Sequence, residues 1–134
     1  MKLYHFTSEQ HIVRCCKHGL TLGIIPTYNE QDRHDVIKGY QWLTVNKEFS
    51  AQNWHTRGNL PYDRTAYRIL INIPKHRRTQ SLLHWVDVCD ELCDQRMVED
   101  LNYAGHPEDW YIYKGNIKTG WFREIVDKQG KVYY

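Results

Sequence analysis

Apolar and polar positions change rhythm several times along the chain, and each change predicts an element. Leu3, Tyr4 and Phe6 crowd the segment Lys2–Phe6, which reads as a short strand. Thr7-Ser8-Glu9-Gln10 follows as a capping-box pattern, a hydroxyl three residues ahead of a side chain able to reach back. Ile12 and Cys16, with Val13 as an alternative, give a helical apolar face, and Gly19 is a natural stop. A helix is therefore predicted over 8–18, after which Leu20 and Leu22 return the chain to the core. Residues 23–39 mix Gly23, Pro26, Asn29 and Gly39 with charges and read as a long loop, a feature that often carries function.

Alternation resumes at Tyr40-Gln41-Trp42-Leu43-Thr44-Val45, a predicted strand. Asn46 is placed to cap a helix over 47–56 bearing Phe49, Ala51 and Trp54, and Gly58-Asn59-Leu60-Pro61 breaks it. Ala66–Ile73 is β-branched and nearly continuous, a strand stopped by Pro74. Lys75-His76-Arg77-Arg78 is an exposed basic run. Leu82, Val86, Cys89, Cys93, Met97 and Leu101 recur at spacings of three and four, which predicts one amphipathic helix over 82–101, ended by Gly105-His106-Pro107. Trp110–Tyr113 is a strand and Lys114-Gly115-Asn116 a turn. Residues 117–126 are mixed strand and turn. Lys128-Gln129-Gly130 turns into a last short strand, Lys131–Tyr134. Helices mixed with non-adjacent short strands predict an α+β class rather than a doubly wound parallel sheet.

The chain has 134 residues, which suits one domain over 1–134. Hydrophobic residues are 41% and charged residues 25%, with a net charge of +2, so the chain as a whole is not a polycation built to coat nucleic acid. A mean hydropathy of −0.72 and no long apolar run argue against a membrane span. The first ten residues turn polar too soon for a signal peptide, so a cytoplasmic location is expected. Cys15-Cys16 and Cys89-xxx-Cys93 lack zinc-ribbon spacing and read as reduced, mostly buried thiols; no metal is expected. His55, His76 and His106 read as surface or loop residues. Aromatic residues, at 13% with ten Tyr and five Trp, exceed what packing alone explains, because flat rings also stack on bases and nicotinamides.

No nucleophile elbow, P-loop, dinucleotide glycine fingerprint or zincin helix is present. Three separated strands instead carry the polar and aromatic residues suited to one pocket. The first reads Leu3-Tyr4-His5-Phe6-Thr7, followed by Ile12 and Gly19-Leu20. The second reads Gly39-Tyr40-Gln41-Trp42-Leu43-Thr44, then Ser50-Ala51 and Trp54. The third opens with Glu108-Asp109 and runs Trp110-Tyr111-Ile112-Tyr113, then Ile117. In this order the motifs resemble those of the ADP-ribosyltransferase superfamily, which includes diphtheria-toxin-like enzymes and poly(ADP-ribose) polymerases and is related to the RNA 2′-phosphotransferases. The resemblance covers both ends of the chain and leaves 60–105 without a counterpart beyond the strand at 66–73. Phe6 stands where the family has Gly, Trp42 where Tyr is common, and Asp109 is one methylene shorter than the family's Glu.

The resemblance implies a compact fold of two small, mainly antiparallel sheets flanked by helices. It implies NAD as substrate and transfer of ADP-ribose to a protein or nucleic-acid acceptor. His5 would bind the adenosine ribose; the Phe6 backbone and Thr7 hydroxyl would hold the nicotinamide amide and ribose. Trp42 and Trp54 would sandwich the nicotinamide, with Thr44 beside them. Asp109 or Glu108 would place negative charge at the oxocarbenium-like centre, Glu124 being a fallback. Arg33, Arg64 or Arg68 would meet the pyrophosphate. Small size and the resemblance suggest a toxin, defence or phage effector. Lys75–Arg78 with Arg57 and Arg64 offers a basic groove for a nucleic-acid acceptor.

Each residue also has a plainer role. His5 can be a hydrogen-bonded strand histidine, Thr7 a helix cap, Trp42 and Trp54 core, and Asp109 a strand-entry residue. The acid at Asp109 and the lack of an Arg beside His5 argue against a 2′-phosphotransferase. A non-catalytic module that binds NAD, ADP-ribose or single-stranded nucleic acid by stacking is the other alternative.

Overall fold

In the computed structural model, which describes residues 1–52, 62–103 and 105–133, a six-stranded antiparallel sheet gathers strands from both ends of the chain. Its strands are β1 (Leu3–Thr7), β4 (Tyr40–Thr44), β5 (Tyr67–Ile71), β6 (Leu82–His84), β7 (Trp110–Lys114) and β8 (Phe122–Asp127), in the order β6-β7-β4-β1-β5-β8. β2 (Ile24–Tyr28) and β3 (His34–Lys38) form a separate two-stranded antiparallel sheet. Among the described residues, four α-helices complete the α+β architecture: α1 (Glu9–His18), α2 (Lys75–Ser81), α3 (Trp85–Leu92) and α4 (Gln95–Tyr103).

The two faces of the large sheet bury different sets of side chains, as the two-residue period of a strand requires. Leu3, Leu43, Ile69, Ile71 and Ile125 meet Ile12 and Cys15 of α1, with Leu20 and Ile117. Tyr40, Trp110 and Ile112 meet Trp85, Cys89, Met97 and Val98 of α3 and α4, and Ile25 of the hairpin.

Several predicted elements need correction. The supposed loop at 23–39 is the β2–β3 hairpin. Pro26 sits inside β2 opposite Val36, which a two-stranded edge tolerates because proline's missing N–H leaves few ladder bonds unmade. The predicted helix 82–101 is a short strand and two helices. Cys93 turns extended (φ −133°, ψ 146°), and the Asp94 carbonyl accepts from the Met97 and Val98 amides to start α4. The apolar spacing runs through the break because α3 and α4 both face one core. The basic run Lys75–Arg78 opens α2.

Ser8, not Thr7, caps α1: its Oγ accepts from the His11 amide. The inward residues of α1 are Ile12 and Cys15, and Val13 is exposed. After Asn46 the described chain makes a 3-10 turn, Phe49–Ala51; the rest of the helix predicted to 56 lies outside the described residues. The last strand reduces to a single bridge, Val126 to Val132.

Candidate functional site

β1 pairs with β5 along all five residues, yet meets β4 only at Tyr4 opposite Thr44. From His5 onward no ladder joins the two central strands. His5 crosses this parting: its Nδ1–H donates to the Trp42 carbonyl at 2.8 Å. That bond fixes the tautomer and leaves Nε2 as an acceptor with no protein partner among the described residues. A cleft of about 800 Å³ opens here, in the size range of small-molecule sites.

Burial pushes the His5 pKa below the ordinary histidine value; the Trp42 carbonyl opposes this and nearby His11 adds to it. His5 is therefore neutral at pH 7. In the unfolded chain it takes a proton near pH 6.5, whereas the folded chain resists protonation to lower pH. Stability from this group is complete above about pH 6.5 and is lost as pH falls toward the lowered folded value. Thermal midpoints between pH 7 and pH 5 should fall more steeply for the wild type than for His5→Gln. Parallel slopes would exclude a half-buried His5 held neutral.

The other expected residues divide clearly. Thr7 is buried on β1 and lines the cleft. Phe6 also lines the cleft, while strand alternation turns its ring to the face opposite His5 and Thr7, edge-on to Phe49 at 5.1 Å. Trp42 lines the cleft as one member of an aromatic group: its ring lies 4.8 Å from Trp85 and 5.8 Å from Trp110, and its Nε1–H donates to the Ile24 carbonyl. Thr44 borders the cleft and accepts from the Asn46 amide. Trp54 lies outside the described residues.

The acids fall elsewhere. Asp109 is fixed beyond Trp110: its carbonyl accepts from the Val45 amide and its Oδ2 from Asn46 Nδ2 at 3.2 Å. Glu108 is exposed and faces His106 at 3.8 Å. Neither lines the cleft, although their neighbours Thr44 and Trp110 do. Glu124 is exposed on edge strand β8.

Of the expected cations, Arg64 lines the cleft, and Arg14 of α1 joins it. Arg68 lies over the Tyr4 and Phe49 rings and donates to the Lys47 carbonyl, and Arg33 is exposed at the hairpin end. The basic run on α2 packs against β6 and β7 and does not reach the cleft. Arg57 lies outside the described residues.

Several cleft residues were hidden in the sequence. Tyr28 and His34 form an edge-to-face pair at the hairpin end, and both line the cleft. Buried Gln41 accepts from the Gly23 amide and donates to the Gly115 carbonyl, tying hairpin to sheet. Asp100 reaches the cleft from α4. Reading 23–39 as loop and 82–101 as one helix concealed all but Gln41, whose role depends on a pairing 74 residues away.

Burial raises the thiol pKa of all four cysteines; three are buried outright, which suits packing rather than reactivity. Among the described residues, no group of three or more potential ligands is placed to hold a metal, and no helix is long and apolar enough to cross a membrane. No family model matches the chain, and comparisons with curated proteins and with solved structures found no match.

Proposed function

We propose that the chain is an NAD-dependent mono-ADP-ribosyltransferase. One observation carries this reading: β1, β4 and β7, which bear the three motifs from opposite ends of the sequence, are consecutive neighbours in one sheet, beside a cleft of suitable size. In the reaction the bond from ribose C1′ to the nicotinamide nitrogen breaks. The electron pair leaves with nitrogen, so cationic nicotinamide departs neutral. A nucleophile on a protein or nucleic-acid acceptor attacks C1′ and gives up its proton. The transition state is oxocarbenium-like.

Within this reading, His5 Nε2 accepts from a ribose hydroxyl, Thr7 contacts the nicotinamide end and Trp42 supplies the ring wall. Arg14 and Arg64, which line the cleft, are in this reading the cations that meet the pyrophosphate. The test is nicotinamide release from NAD, with cell lysate supplied as acceptor. His5→Ala should lower release by roughly tenfold or more, the worth of a lost site hydrogen bond with its ordering effect. Circular dichroism and the milder His5→Gln separate this from misfolding. Unchanged release from both folded variants would remove His5 from the site.

The position of Asp109 and Glu108 outside the cleft lining favours a second reading, a module that binds NAD or ADP-ribose without turnover. Such a module gives a saturable thermal shift with NAD and no nicotinamide.

A further inference from the structure

We propose that Asp100, rather than an acid of the third motif, is the carboxylate that stands beside the anomeric carbon of NAD. This rests on the NAD reading above and names the residue that reading lacks. Among the described residues, Asp100 is the sole Asp or Glu that lines the cleft. Its carboxylate has no hydrogen bond or ion pair among the described residues. Asp109, by contrast, is held by Asn46, Glu108 faces His106, and neither lines the cleft.

The packing of α4 fixes where Asp100 stands. Arg96, one turn earlier, bonds to Asp94 and to Asp32 at 2.8 Å and covers the Tyr28 ring at 4.7 Å; Tyr28 lines the same cleft. Met97 lies one helical spacing before Asp100, Leu101 follows it directly, and both also line the cleft. Both belong to the apolar cluster that holds Trp42 and Trp110. Asp100 is itself exposed, an acidic group that lines the cleft next to these apolar side chains. A fixed carboxylate there attracts the positive charge that develops at C1′.

The step balances with water as acceptor. The C1′–N bond breaks and its electron pair goes to nicotinamide. The water oxygen bonds to C1′, and its proton passes through Asp100 to solvent. The products are nicotinamide, ADP-ribose and one proton.

The experiment follows nicotinamide release from NAD by wild type, Asp100→Asn, Asp100→Glu and Glu99→Gln, with lysate present, alongside thermal-shift titration with NAD. Asp100→Asn keeps the shape and removes the charge. Release should fall by roughly 100- to 1000-fold, the usual effect of losing one transition-state contact, while the NAD-induced shift persists. Asp100→Glu should recover part of the rate. Glu99→Gln, an exposed neighbour that does not line the cleft, should match wild type. Wild-type release from folded Asp100→Asn overturns this role and leaves the NAD reading standing. No release from wild type removes both.

Discussion

Replacing Trp85 with alanine is expected to cost about 3–5 kcal/mol of stability, the range for emptying a buried aromatic site. Trp85 opens α3 and is fully buried. Its ring packs on Trp42, and its Nε1–H donates to Asn102 Oδ1 at 3.0 Å. Truncation therefore empties a large volume and leaves the Asn102 carbonyl short of a donor. Domains of this size hold roughly 5–15 kcal/mol in total, so much of the margin would go. Chemical denaturation measures the loss directly. A cost below about 1 kcal/mol would contradict the packing described. Trp85→Phe keeps most of the volume and loses the hydrogen bond, so it should cost far less. The ring wall of the cleft leans on this residue, so nicotinamide release should also fall in Trp85→Ala at temperatures where it remains folded.

Gly19→Ala is the second large effect. Gly19 ends α1 at φ +79°, ψ −167°, a region open essentially to glycine that costs an L-residue about 1–3 kcal/mol. A Cβ at this position would lie 2.2 Å from the Ile117 carbonyl oxygen. That oxygen accepts the Leu20 amide, and the Ile117 amide donates back to Leu20, so it cannot retreat without breaking the bridge between α1 and the late chain. Strain and displacement together should cost about 3 kcal/mol or more. The check is the denaturation midpoint against Gly23→Ala, which also meets backbone, the Tyr40 carbonyl, but without a positive φ. If Gly19→Ala proves near neutral, the close approach of Gly19 to Ile117 is wrong.

Much of the sheet was legible because its strands are short runs of β-branched and aromatic residues bounded by turns. β1, β4, β5 and β7 all fall within a residue or two of their expected limits. The hairpin was not legible. Pro26, Asn29 and Gly23 carry strong turn signals, while the burial of Ile25 comes from α3 and α4, far along the chain. The division of 82–101 was hidden for a related reason. Cys93 leaves the helix to reach the Pro26 carbonyl, and Asp94 donates its amide to Thr27, so the break answers to the hairpin rather than to local propensity. The site followed the same rule. His5, Thr7 and Trp42 lie on legible strands and line the cleft, whereas Asp100 and Tyr28 lie on the elements that sequence rhythm misread.

The single register pair between β1 and β4 has a mechanical consequence. The sheet is two three-stranded plates, β6-β7-β4 and β1-β5-β8, sewn along a short seam. The helices α3 and α4 cover the first plate, while the cluster under α1 draws on both, Leu43 and Tyr113 from one and Leu3 and Ile69 from the other. Opening along the seam breaks far fewer backbone bonds than opening within either plate, so slow breathing concentrates there. A ligand seated in the parting would act as a rivet. It would damp the relative motion of the plates, and the whole molecule would stiffen by more than the surface it touches.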